Sequence, residues 1–148
     1  MSTAATLDLP HFLPYLLSRV SNAVSEALAE VYRDSADLGL TEWRLIAVLA
    51  AQPGIAATEL VRITLLDKVA VSRALKRLLA RRLVRRTTVR NDRRQRRLRL
   101  SEAGHALYAD IAPKVAEKER ALLAVLGPAG RLQLETLLRQ VLEALAVP

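Results

Sequence analysis

This chain should fold mainly as α-helix with one small β-hairpin, and three features say so. Half of its 148 residues are apolar but only 3% are aromatic, so leucine, alanine and valine carry the hydrophobicity, a composition that favours helices. Apolar residues recur at spacings of three and four along most of the length, which is the period of one helical face. Only between residues 84 and 100 does the period fall toward two. The length matches a single domain, 1–148, large enough to bury a core.

Leu13, Leu16, Leu17, Val20, Val24, Ala27, Leu28 and Val31 define a long first amphipathic helix that should end near Gly39. Thr41 is placed to cap a second helix, from Glu42 to Ala51, which Gln52-Pro53-Gly54 then stops. Thr58 is placed to cap a third, short helix through Leu60, Ile63 and Leu66, with Glu59 near its positive end. Asp67 reads as the N-cap of a fourth helix reaching about Arg81. At 100° per residue Val71, Leu75, Leu78 and Leu79 cluster on one side of it, and Val69, Arg73, Lys76, Arg77 and Ala80 lie opposite.

Val84 to Val89 are rich in β-branched residues, Leu98 and Leu100 alternate with Arg97 and Arg99, and Asn91-Asp92 between them is turn chemistry. The segment is a hairpin with arginines at its tip. Ser101 then caps a fifth helix through Leu107, Ile111, Val115, Leu122 and Val125, which Pro113 should kink or split. Gly127-Pro128 breaks the chain before a last helix carrying Leu134, Leu137, Leu138, Val141, Leu142 and Leu145.

The net charge of +8 matters less than its distribution. From Lys68 to Arg99 there are fourteen lysines and arginines against the single acid Asp92, leaving nine bases and fourteen acids elsewhere. An acidic body thus bears one basic module, which points to a polyanion bound at one place. Two short helices in tight succession, the second cationic opposite its core face, followed by a basic hairpin, form a helix-turn-helix with a wing. Such a helix fits the major groove of duplex DNA, and arginines on a hairpin can reach the backbone or minor groove beside it.

The stretches DKVAVSRALKRLLARRLVRR (67–86), NDRR (91–94) and LRLSEAGHAL (98–107) resemble the recognition helix, wing and following helix of the MarR family of bacterial and archaeal winged-helix transcription regulators. The Asp-Arg-Arg of the wing, here Asp92, Arg93 and Arg94, is the most specific short feature, and the order of elements matches over nearly the whole chain. The resemblance implies a winged helix-turn-helix module at 40–100 flanked by dimerisation helices at 10–38 and 101–148. It also implies a homodimer reading a pseudo-palindromic operator, with Ser72 and Arg73 in the major groove, Arg94 in the minor groove, and Asp92 orienting the wing arginines. A lone acid among so many cations should indeed hold one of them in a fixed rotamer. Two positions depart from the family pattern: Arg82 stands where a glycine commonly precedes the leucine leaving the recognition helix, so the exit geometry should differ. Leu65 stands where many relatives have a glycine or small residue in the preceding turn.

The DNA-contact candidates are Lys68, Val69, Ser72, Arg73, Lys76, Arg77, Arg86, Arg90, Asp92, Arg93, Arg94 and Arg96. Trp43, Tyr32, Tyr15 and His11 each have two readings, packing residue or lining of an effector pocket. The expected function is a sequence-specific transcriptional regulator of duplex DNA, a repressor released by a small molecule. The alternative is an architectural or non-specific nucleic-acid binder without effector control. RNA-binding modules display stacking aromatics, and residues 68–99 contain none. Without a Cys-His pair, nucleophile elbow, glycine-rich phosphate loop or metal-spaced cluster, neither an enzyme nor a cofactor is expected. His105 with Asp110 makes a poor metal site, and the lack of cysteine excludes disulfides. No apolar run approaches the roughly 20 residues of a membrane span, so a cytoplasmic chain with no membrane partner is expected.

Overall fold

The structure is a computed structural model that describes residues 7–89 and 92–145, with the side chains of 89 and 92–95 outside the description. After a 3₁₀ turn (Leu9–His11) come α1 (Leu13–Ala36), α2 (Leu40–Ala51), α3 (Ala57–Thr64), α4 (Lys68–Ala80), β1 (Val84–Val89), β2 (Asp92–Leu100), α5 (Glu102–Leu122) and α6 (Gly127–Ala144). The mainly helical fold with one antiparallel hairpin is the one expected. The core gathers Leu45, Ile46 and Leu49 of α2, Leu60 of α3, Val71, Leu75 and Leu78 of α4, and Val84, Leu98 and Leu100 of the hairpin. Tyr32 of α1 and Ile111 of α5 close it from the other side.

The helix ends show where short-range chemistry was read well and where it was not. Asp67 Oδ1 accepts the Ala70 N–H at 2.9 Å, and Ser101 Oγ accepts the Gly104 N–H at 3.0 Å. Both are the expected N-caps. Thr41 and Thr58, by contrast, do not cap. α2 and α3 begin one or two residues earlier, and the glutamate at the third position of each helix folds back on the N-cap backbone. Glu42 Oε2 accepts the Gly39 N–H at 2.8 Å, and Glu59 Oε2 accepts the Ala56 N–H at 3.0 Å. A glutamate that reaches back satisfies an orphan donor without any hydroxyl at the cap.

α1 ends at Asp37 rather than Gly39. Asp37 is left-handed (φ 49°) and its N–H bonds the Arg33 carbonyl at 2.9 Å. Aspartate tolerates that conformation better than most side chains. α5 is neither ended nor split by Pro113; it continues to Leu122. The missing N–H removes a single bond of the ladder, and the break falls at Leu123–Leu126, where segments 102–122 and 124–144 are bent by 44°.

Leu65 (φ 52°) and Arg82 (φ 57°) are left-handed as well. The chain therefore keeps at Arg82 the backbone geometry that a glycine provides, instead of the different exit expected. A side chain there costs about 1–2 kcal/mol, and a glycine's unfolded-state entropy returns about 0.5–1 kcal/mol of that. Arg82→Gly is therefore expected to raise the unfolding free energy by roughly 0.5–1 kcal/mol, measurable by urea titration.

The hairpin pairs Val84 with Leu100, Arg85 with Arg99 and Thr88 with Arg96, and its register shifts between Thr88 and Val89. Gly54 and Ile55 dock beside it: the Gly54 N–H bonds the Leu98 carbonyl and the Leu98 N–H bonds the Ile55 carbonyl, both at 2.8 Å. This third contact ties the hairpin's base to the α2–α3 connection. The other end of the molecule is unlike this. Leu13, Leu16, Leu17 and Val20 of α1 and Leu132, Leu134, Leu137, Leu138, Val141 and Leu142 of α6 are exposed. α6 buries no residue at all.

Candidate nucleic-acid interface

α4 divides as its wheel demands. Val71, Ala74, Leu75 and Leu78 are buried, whereas Lys68, Val69, Ser72, Arg73, Lys76 and Arg77 are exposed. Val69, at 60% exposure, is an apolar residue standing among cations. Lys68, Arg73, Lys76, Arg86 and Arg96 have no ion-pair or hydrogen-bond partner among the described residues. Arg90 lies outside the described residues, as do the side chains of Asp92, Arg93 and Arg94, and with them the expected ion pair of Asp92.

Arg85 and Arg99 face each other directly across the hairpin and are both exposed. Like charges in that position disfavour the pairing, a cost that a polyanion lying along the strands would offset.

Not all fourteen module cations are free for a ligand. Arg81 Nη2 and Nη1 donate to the carbonyls of Ala36 and Asp37 at 2.7 and 3.1 Å. The guanidinium thereby caps the negative end of α1 and fastens the end of α4 to it. Arg97 Nη1 reaches Glu59 Oε2 and the Gly54 carbonyl, each at 3.4 Å, joining hairpin to α3. Arg77 Nε sits 3.0 Å from Glu42 Oε1. Charge counting along the chain cannot separate these arginines from their neighbours. The one signal available for Glu42 was its place three residues after Gly39, the capping-box spacing.

The four effector candidates separate into two places. Trp43 is half-buried and stacks between Tyr32 and Tyr108, with centroids 5.6 and 5.8 Å away and planes within 20°. Rings this close leave no space between them for a third, so Trp43 packs on the core here. Tyr32 is buried, its hydroxyl has no partner among the described residues, and that burial pushes its ionisation upward against the pull of Arg44 and Arg33. Tyr108 was not singled out from sequence because nothing in its spacing marks it. His11 and Tyr15 are exposed and elsewhere engaged, His11 Nδ1 with Asp8 at 2.8 Å and the Tyr15 ring with Arg19 at 5.7 Å. Asp110 pairs with Lys114 at 2.8 Å.

Residues 36–95, which span α2 to the hairpin, match the sequence model of the MarR family. The HTH-type transcriptional regulator PetP of Rhodobacter capsulatus is 31% identical over 115 residues, covering 78% of this chain and 67% of PetP. A MarR/EmrR family regulator from Acinetobacter sp. ADP1 superimposes with a TM-score of 0.85 at 26% identity, over 95% of this chain and 99% of that one. The transcriptional repressor CouR, bound to a 23-mer DNA duplex, matches with a TM-score of 0.80 at 26% identity and the same coverage. No single helix among the described residues is long and apolar enough to cross a membrane. A cationic helix and basic hairpin on this frame, and a relative alike over most of both chains, make this protein a member of the MarR family of transcriptional regulators.

Proposed function

We propose that this chain is a homodimeric repressor that reads a pseudo-palindromic operator through α4 and the hairpin and is released by a small-molecule effector. The single observation that carries the reading is the row of exposed cations on α4 and the hairpin, Lys68, Arg73, Lys76, Arg86 and Arg96, that have no partner among the described residues. Within the row, Val69 offers an apolar contact of the kind a thymine methyl group makes in the major groove. The module at 40–100 would do the reading, with 10–38 and 101–148 pairing the protomers. The exposed leucines of α1 and α6 support that pairing, because contiguous apolar surface of this extent marks an interface, and a two-fold axis would cover both copies at once. CouR sits on a 23-mer, a length that accommodates two half-sites one helical turn apart. The unpartnered Tyr32 hydroxyl beside Trp43 supports an effector that supplies a hydrogen bond there, next to the aromatic stack and not within it.

The test is binding to a duplex from upstream of the protein's own gene, with an unrelated duplex as control and salt varied. Clear preference for the upstream fragment is expected. Equal affinity for both would replace the regulator with an architectural binder.

Leu137→Glu places a charge on the apolar face of α6, at a residue that is 51% exposed in the single chain. Light scattering should show the parent as a dimer and this variant as a monomer of unchanged helicity, with its operator affinity lost. A variant that stays dimeric would remove α6 from the interface.

A further inference from the structure

Glu42 is the one buried acidic side chain among the described residues, at 2% exposure. Its Oε2 caps α2 through the Gly39 N–H at 2.8 Å. Its Oε1 has no hydrogen bond and lies 3.0 Å from Arg77 Nε. A capping acceptor can sit at the surface, so the cap alone does not explain why a full charge is held out of water. The guanidinium does. Arg77 leaves its side chain 63% exposed, and its two Nη groups have no partner among the described residues. It stands one turn beyond Arg73 on the same face of α4, across a crevice of about 340 Å³ that Gly39, Glu42, Arg73 and Arg77 help to line.

We propose that Glu42 is a positioning residue for DNA recognition: it holds Arg77 by Nε so that the two Nη groups form a fixed outward fork that reads guanine. This rests on the DNA-binding reading above. An untethered cation such as Arg73 or Lys76 follows whichever phosphate is nearest and must give up rotamer freedom on binding. A tethered guanidinium has lost that freedom already, and its end-on pair of donors matches the O6 and N7 acceptors that guanine alone presents in the major groove. Contact then depends on the base sequence and not merely on the charge of the backbone.

The experiment measures the affinity of the full-length parent, Glu42→Gln, Arg77→Lys, Arg77→Ala and the Glu42→Gln/Arg77→Ala double variant for an operator chosen by selection from random duplexes, and for an unrelated duplex. Glutamine keeps an oxygen for the Gly39 cap, and thermal melts check the fold. Glu42→Gln and Arg77→Lys are each expected to lose about tenfold on the operator and to hold or gain affinity for the unrelated duplex. The double variant should bind the operator no worse than Arg77→Ala. Operator preference intact in Glu42→Gln, equal losses on both duplexes, or additive losses in the double variant would overturn the proposal. Should Glu42→Gln fail to fold, Arg77→Lys decides, since it leaves Glu42 and its cap in place. A parent that prefers no duplex in the selection refutes the DNA-binding reading itself, and this inference with it.

Discussion

Gly104→Ala is expected to destabilise the protein by about 2–3 kcal/mol, a large share of the roughly 5–15 kcal/mol that holds a domain of this size together. A Cβ on Gly104 would lie 2.1 Å from the Leu83 carbonyl oxygen, 3.1 Å from its carbon and 3.3 Å from Leu100 Cβ. That oxygen is backbone and cannot swing aside, since it accepts the Ser101 N–H at 3.0 Å. The Ser101 hydroxyl, which donates to the Arg82 carbonyl at 2.7 Å and accepts from Gly104, bonds the same junction. Alanine's better helix propensity returns only about 1 kcal/mol, so overpacking decides the sign. The melting temperature should fall by roughly 4–12 °C, and DNA affinity should fall with it because the first turn of α5 carries the base of the hairpin. A melt at or above the parent's would mean that α5 and the β1 entry are not in contact.

The second large effect is on binding. Lys68, Arg73, Lys76, Arg86 and Arg96 are cations of α4 and the hairpin with no ion-pair or hydrogen-bond partner among the described residues. If three to five of them per protomer neutralise phosphates, a dimer's log–log salt slope should be about −5 to −9. Operator affinity would then fall by roughly a thousandfold or more between 50 and 200 mM salt. Replacing Arg73, Lys76 and Arg96 together by alanine should flatten the slope by about 5. Arg81→Ala makes the informative contrast. It removes the same formal charge, but this guanidinium is spent on the α1 carbonyls. It should leave the slope in place and lower stability by about 1 kcal/mol. A slope that drops equally for Arg81→Ala would mean that bulk charge, and not the exposed row, carries the binding.

Most of the architecture was legible along the chain because it depends on neighbours three and four residues apart. The apolar period located every helix, the switch toward two located the hairpin, and the caps at Asp67 and Ser101 were read from single residues with one local acceptor each. The capping errors were local too, and of one kind. Thr41 and Thr58 offered hydroxyls to helix starts that Glu42 and Glu59 serve instead, and two adjacent candidates for one helix start cannot be ranked without the backbone's path. The left-handed Leu65 and Arg82 are turns that tertiary packing imposes on side chains with no preference for them, whereas Asp37 tolerates its own.

Composition and order alone determined that a basic helix-and-hairpin module sits on an acidic helical frame with apolar ends. A charge density of this kind is a property of the chain whatever its path. Only the tertiary structure decided which cations are available. Arg81 meets Ala36 across 45 residues and Arg97 meets Glu59 across 38, while Glu42 on a separate helix takes hold of Arg77. Gly104 likewise owes its need for no side chain to the Leu83 carbonyl, which enters from the start of the hairpin's other strand. Coulomb attraction and steric exclusion act through space, over a few ångströms, so their partners are chosen by the fold and leave no period in the sequence.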